Sequence, residues 1–210
     1  MLRILIADDH AVVRCGVRDI LAQGFPSARF GEACNADEVF QQVWTKEWDL
    51  VILDITMPGR SGLDVLKELK SARPGLPLLV LSMHPEDQFA KRCLKAGASG
   101  YLNKDIAADE LVRAVKKAVA GGKYVSRSLA EKLAVDLETH VQGQPHEALS
   151  NREFQVMRMI SAGRTVSEIA RELSLSVKTV STYRARIMIK MNMRTNAELT
   201  RYAVENELLD

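Results

Sequence analysis

Short, largely apolar runs alternate with amphipathic segments over the first 120 residues, and this alternation restricts the fold more than any other feature of the chain. Residues 2–7, 50–53 and 76–81 are apolar runs, and 29–33 and 100–102 are shorter strand candidates. Between and after them, residues 12–21, 36–44, 62–69, 88–94 and 106–119 have helical spacing. Strands that are apolar on both faces belong to parallel sheets covered by helices on both sides. Residues 1–122 are therefore expected to form one α/β domain of five strands and five helices, ending at Gly121-Gly122.

The pattern then changes. Residues 123–146 read as a linker with a short helix over 128–137, where Leu129, Leu133 and Leu137 recur every four residues. Gly143 and Pro145 mark 139–146 as exposed connecting chain. No strand candidate follows Leu149. Instead Ser150/Glu153, Thr165/Glu168 and Thr195/Glu198 each place a hydroxyl three residues before a glutamate, the spacing of a capping box. Ser176 is a fourth helix cap, and Gly163 separates the first helix from the second. Residues 147–210 are thus expected to be a small all-α domain of four helices.

Charge separates the two parts. Residues 1–122 carry 16 basic and 16 acidic side chains, residues 147–210 carry 10 and 8, and the whole chain is +2. A general basic coat is excluded, but 176–194 holds five cations (Lys178, Arg184, Arg186, Lys190, Arg194) and no acid. Cys15, Cys34 and Cys93 are too widely spaced for a zinc ribbon or a redox pair, and read as free, buried or half-buried thiols in a reducing compartment. No apolar run is long enough to span a membrane, and Asp8-Asp9 interrupt the N-terminal run before it could serve as a signal peptide. A cytoplasmic location, away from membranes, is expected.

Ligands of open parallel sheets bind beyond the carboxyl ends of the strands. Asp8 and Asp9 follow the first run directly and Asp54 follows the third strand. If those strands are neighbours, three carboxylates converge and repel one another until a cation relieves them. Mg²⁺ suits a few carboxylates with water and a phosphate. Ser82 and Lys104 follow the fourth and fifth strands, supplying a hydroxyl and an ammonium where a transferred phosphoryl group needs them.

Asp8-Asp9-His10, Asp54-Ile-Thr-Met57-Pro58-Gly59, Ser82 and Lys104 together resemble a bacterial response-regulator receiver domain, over about residues 1–122. The resemblance implies a flavodoxin-like, doubly wound fold. It implies Asp54 as phosphoacceptor, Asp8, Asp9, Asp54 and the Thr56 backbone carbonyl as Mg²⁺ ligands, Ser82 and Lys104 as phosphoryl contacts, and Tyr101 as an aromatic switch. Asp105 departs from the proline that many receivers carry after the lysine.

In the tail, Thr165 to Met191 has the form helix, turn, helix. Val177, Val180, Ile187 and Met191 make an inward stripe, and Lys178, Ser181, Thr182, Ala185 and Arg186 an outward one. Short polar side chains and a small alanine let such a helix approach a major groove closely. The residues from Leu149-Ser-Asn-Arg-Glu153 through Ser176-Val-Lys-Thr-Val180 to Lys190-Met191 resemble a LuxR-type DNA-binding domain. The order receiver, linker, LuxR-type domain is that of NarL/FixJ-class response regulators. By position, Ser181, Thr182 and Ala185 would face bases, and Lys178, Thr179, Arg184, Arg186 and Lys190 phosphates or bases. Tyr183 stands where many relatives have histidine, and residues 195–206 would support dimerisation.

The resemblance implies a phosphorylation-controlled transcription factor rather than an enzyme. Its partners would be a sensor histidine kinase, double-stranded DNA, a second copy of the chain when phosphorylated, and RNA polymerase. Two other readings stay open. A Mg²⁺-dependent phosphatase of the haloacid dehalogenase type also uses aspartyl phosphate, but places an Asp-x-Asp pair after its first strand. A DNA-binding or scaffolding protein could carry the same acidic set without ever meeting phosphate.

Overall fold

The computed structural model describes residues 1–57, 60–84, 86–139 and 144–209, which form two compact units, Met1–Glu138 and Thr139–Asp210. In the first, strands β1 (Arg3–Ala7), β2 (Arg29–Ala33), β3 (Leu50–Leu53), β4 (Leu78–Ser82) and β5 (Gly100–Asn103) pair in parallel in the order β2-β1-β3-β4-β5. The order reverses at β1, so β1 and β3 are neighbours, with Ala7 opposite Leu53.

Every residue of β3 and β4 is buried, as strands covered on both faces require. Helices α1 (Ala11–Gly24), α2 (Ala36–Thr45), α3 (Gly62–Ala72), α4 (Glu86–Lys95) and α5 (Ala108–Val119) provide the cover. Side chains alternate along each strand. Ile4, Ile6, Ile52, Leu79 and Leu81 accordingly share a core with Val17 and Leu21 of α1 and Leu111, Ala114, Val115 and Ala118 of α5. The fourth strand starts at Leu78, not Leu76, because Pro77 has no N–H for the ladder; its carbonyl still accepts from Val51 N at 3.0 Å.

The expected linker divides into unlike parts. Helix α6 (Arg127–Thr139) begins on a Ser126 cap, whose hydroxyl accepts from Leu129 N at 3.1 Å and donates to Glu86 of α4. Just before it, Tyr124 bridges Gly100 alongside β5, with Tyr124 N donating to Ser99 O at 2.7 Å. Residues 123–138 therefore belong to the first unit. Residues 140–143, with the expected linker glycine, lie outside the described residues, and a 3₁₀ turn (Pro145–Ala148) follows.

The second unit contains α7 (Asn151–Ser161), α8 (Val166–Glu172), α9 (Val177–Lys190) and α10 (Asn196–Glu205) around Phe154, Met157, Ile169, Val180, Ile187 and Leu199. Ser150 and Thr165 make complete capping boxes, and Ser176 accepts from Thr179 N at 3.0 Å. The third expected box is half formed. Thr195 accepts from Glu198 N at 3.2 Å, but the Glu198 carboxylate accepts from Arg194 N at 2.7 Å, one residue too early to close the box. Gly163 ends the α7 turn at φ +84°, a left-handed conformation that glycine adopts without a Cβ clash.

Candidate functional site

Adjacent strands β1 and β3 end side by side, so the residues that follow them meet. Asp54 N donates to Ala7 O at 2.8 Å, which sets Asp54 beside Asp8; their side chains are 0% and 3% exposed. Lys104 N donates to Ser82 O at 2.9 Å, carrying the next two strand ends to the same edge. The Lys104 ammonium then lies 2.7 Å from Asp8 Oδ2 and 2.8 Å from Asp54 Oδ2. Burial lowers its pKa, but the two carboxylates more than compensate and hold it above the ordinary 10.5. The Lys104–Asp105 peptide is trans.

Four of the five sequence-derived residues thus share one pocket: Asp8, Asp9, Asp54 and Lys104. The fifth, Ser82, is wholly buried at the end of β4 and accepts from His84 N at 3.1 Å. Thr56 engages Asp54 through its N–H at 2.9 Å and its hydroxyl at 2.6 and 2.7 Å. Pro58 and Gly59 lie outside the described residues.

Asp8, Asp9, His10 and Asp54 offer ligand atoms that all lie within 4.8 Å of one another, a donor set able to hold a cation. Asp9 Oδ1 is buried and accepts no well-formed hydrogen bond, although His10 Nδ1 stands 2.9 Å away. Clustered carboxylate oxygens, one of them without a hydrogen bond, fit a hard divalent ion.

Tyr101 is fully buried, and its hydroxyl donates to His84 O at 2.7 Å in the segment after Ser82. Burial pushes its phenol well up, more than a hydrogen bond with Ser82 pulls it down. An aromatic hydroxyl is therefore tied to the same loop as the buried serine.

Two further participants join the site: His10, quoted in the motif but given no role there, and Arg14, which the sequence reading missed. His10 N donates to Asp8 Oδ1 at 2.8 Å, and Arg14 Nη1 donates to Asp8 O at 2.8 Å while its Nε pairs with Glu32 at 2.9 Å. Arg14 stands one turn into α1, and its helical phase was the only signal that could have pointed to it. The cysteines behave as free thiols, but Cys15 is exposed rather than buried. Burial pushes the Cys93 thiol up to about 12.

Gly62 opens α3 directly above this edge. A Cβ there would stand 2.4 Å from Ile55 Cα and 2.5 Å from Asp54 O, distances no carbon tolerates. Gly62→Ala should therefore displace the backbone next to Asp54 and destabilise the first unit by about 1–3 kcal/mol, the usual cost of overpacking. A shift of the thermal midpoint checks this, and an unchanged midpoint would contradict it.

In the second unit, Lys178, Ser181, Thr182, Ala185 and Arg186 are all exposed on α9, as the outward stripe predicts. Val180, Ile187 and Met191 are buried, whereas Val177, expected inside, is 51% exposed because it begins the helix beyond the edge of the core. Thr179 is half-buried, with its hydroxyl 2.7 Å from Ser176 Oγ. The structure separates two cations from the rest. Lys190 Nζ donates to the buried Glu153 at 2.6 Å, and Arg184 Nε donates to Asn196 Oδ1 at 2.9 Å.

A parallel sheet of this order with its acidic strand-end pocket, together with a helix-turn-helix unit, defines a two-part regulator. Residues 4–116 match the response regulator receiver domain family, and residues 147–203 match the luxR family of bacterial regulatory proteins. The chain belongs to the response regulators, in the NarL/FixJ class, and joins a receiver to a LuxR-type DNA-binding domain. It is 34% identical over 209 residues to the response regulator UvrY of Escherichia coli K12, covering 99% of this chain and 96% of that one. To the response regulator GacA of Pseudomonas viridiflava it is 35% identical over 211 residues, covering 100% and 99%. Salmonella RcsB, solved on promoter rprA with the phosphomimetic BeF₃⁻, matches at 28% identity and TM-score 0.66, covering 96% of this chain and 97% of that one. Among the described residues no helix is long and apolar enough to cross a membrane.

Proposed function

We propose that Asp54 is the phosphoacceptor through which a sensor histidine kinase controls DNA binding by this chain. The observation that carries the reading is the Lys104 bridge between Asp8 and Asp54, at 2.7 and 2.8 Å. It marks a pocket whose carboxylates need positive charge and whose lysine can follow that charge.

An Asp54 carboxylate oxygen attacks the phosphorus of a phosphohistidine. A P–O bond forms, the P–N bond breaks, and the leaving imidazole keeps the nitrogen's electron pair and takes a proton from water. A Mg²⁺ ion held by Asp8, Asp9, Asp54 and the Thr56 carbonyl would supply charge neutralisation at the phosphoryl oxygens. The Thr56 N–H and hydroxyl orient the Asp54 carboxylate. Lys104, released from its two carboxylates, follows the new dianion, and the Ser82 hydroxyl donates to it. Ser82 and Tyr101 both bond residue 84, so movement of the serine biases the aromatic side chain and its loop between two positions.

On this reading residues 1–122 are the receiver, 123–146 join it to the tail, and 147–210 bind DNA. Helix α9 is the recognition helix. Ser181, Thr182 and Ala185 face bases, and Lys178, Thr179 and Arg186 face phosphates or bases. A phosphorylated dimer would bind two half-sites, RNA polymerase would be met at the promoter, and the protein would act in the cytoplasm.

The test is incubation with acetyl phosphate and Mg²⁺, followed by intact mass. One stable adduct per chain, lost when Mg²⁺ is withheld, is the expected result. Multiple turnover of p-nitrophenyl phosphate would favour the phosphatase reading instead.

A further inference from the structure

The exposed face of α9 contains one side chain that the functional reading leaves unused. Ile189 is 78% exposed, and among the described residues only Val12, of the exposed large hydrophobic side chains, is more so. A solitary surface isoleucine is ordinary and needs no explanation. What sets this one apart is its place.

At about 100° per residue, Ile189 falls within about 20° of both Thr182 and Lys178 and about 40° from Ala185. It therefore stands on the midline of the exposed face, opposite the buried Val180, Ile187 and Met191. The other side chains near that midline are cations, a hydroxyl and a methyl: Lys178, Arg186, Thr182 and Ala185. Val177, the other exposed apolar residue of α9, lies well off it.

The end of the helix that carries Ile189 is also fixed. Lys190 is drawn to Glu153 of α7 at 2.6 Å, and Arg184 to Asn196 at the start of α10 at 2.9 Å. Helical side chains lean toward the N-terminus and cover the turn before their own Cα. Ile189 thus leans over Ala185, and the two make a single apolar patch between flanking cations. In the major groove the only apolar group on a base edge is the C5-methyl of thymine.

We infer that Ile189, with Ala185, reads a thymine methyl group at a fixed position in each DNA half-site. The inference rests on α9 being the recognition helix and adds to it a base preference and the residue that sets it. DNA is favoured over a protein partner as the occupant because the patch is continuous with the cationic, acid-free face of a LuxR-family domain. Its centre is apolar and its margins are charged, as a groove contact between two phosphate rows requires.

The experiment uses the full-length chain and a duplex selected by it from random sequence. Each thymine of the duplex is replaced in turn by deoxyuridine, which removes the methyl group alone. One thymine per half-site should respond, with affinity falling roughly three- to ten-fold. Ile189→Ala should bind the thymine duplex more weakly by a similar factor and should be indifferent to the uracil at that position. Ile189→Val should keep part of the discrimination. Because the side chain is exposed, the thermal midpoint of each variant should match the wild type.

Uracil without effect at every position overturns the inference, and so does an equal uracil penalty in wild type and Ile189→Ala. The second pattern, or an Ile189→Ala defect seen only when RNA polymerase is present, would move the patch to a protein contact. Failure of the wild type to select any sequence would instead remove the DNA reading of α9 itself, a different result from selection without methyl dependence.

Discussion

Asp54→Asn should take up no phosphoryl group from acetyl phosphate and Mg²⁺, while the wild-type chain takes up one. The two side chains have the same shape, but an amide lacks the anionic oxygen that attacks phosphorus. The surroundings of Asp54 suit this substitution. Thr56 N–H and hydroxyl reach it at 2.6–2.9 Å, and an amide oxygen can accept these bonds. Lys104 loses one partner but keeps Asp8 at 2.7 Å. Removing one of three clustered carboxylates also relieves repulsion, so the first unit should stay folded, with stability within about 1 kcal/mol. Circular dichroism and thermal melting establish the fold, and intact mass reads the adduct. A variant that still labels stoichiometrically would place the acceptor elsewhere.

Lys190→Ala should destabilise the second unit by about 1–3 kcal/mol and leave the salt dependence of DNA binding almost unchanged. Removing one partner of a buried ion pair costs about 3–5 kcal/mol because a charge is left unpaired. Here the Glu153 side chain is 3% exposed but Lys190 is 40% exposed, so water recovers part of that cost. Glu153 also closes the cap of α7 by accepting from Ser150 N at 2.7 Å. Burial raises the Glu153 pKa, but Lys190 and the Ser150 bonds lower it further, leaving it below the ordinary 4.5. A depressed carboxylate pKa stabilises the fold above the unfolded value and loses that contribution as pH falls through the folded value. The difference between wild type and Lys190→Ala should therefore be full at neutral pH and shrink below about pH 4.5. Denaturant melts across that range read the effect. If Lys190 instead meets a phosphate on DNA, as its place in the cationic segment implies, its removal will leave stability alone and cut the slope of log K against log salt by about 1.

Lys190 also shows where sequence reading stops. A helical phase tells which face a residue occupies, not which partner it meets. Lys178 and Arg186 were placed correctly on the exposed face, whereas Lys190 and Arg184 turned to Glu153 and Asn196 on other helices. Those contacts depend on how helices pack, which no local spacing encodes. The same limit hid Arg14, whose partners Glu32 and Asp8 O come from a neighbouring strand and a strand end. Strand ends were far more legible. Residues 50–53 are apolar because both faces of β3 are buried, and the first polar residue after such a run has to emerge at the sheet edge. Asp8 and Asp54 follow that rule and Lys104 comes one residue later, after Asn103, so their meeting was readable once β1 and β3 were taken as neighbours. Capping boxes were legible for a similar reason, since hydroxyl and carboxylate act within one turn. Thr195 is the exception, and its glutamate was taken by an N–H outside the box.

The short bridge between Gly100 and Tyr124 bears on a different property, resistance to aggregation. An open sheet exposes unpaired N–H and C=O groups on its outermost strands, and these can template pairing with another molecule. β5 is one of the two outermost strands of this sheet. Tyr124 lies along it in parallel and donates to Ser99 O at 2.7 Å, so a stub of extended chain blocks part of that row. Ser126, two residues on, is held to α4 through Glu86, and Leu129 of α6 is buried, which keeps the stub in place. Residues that read as connecting chain thus shield the sheet that precedes them. A fragment cut at Gly122 would retain every phosphoryl-site residue yet present β5 bare, whereas one carried through α6 would keep the start of β5 covered.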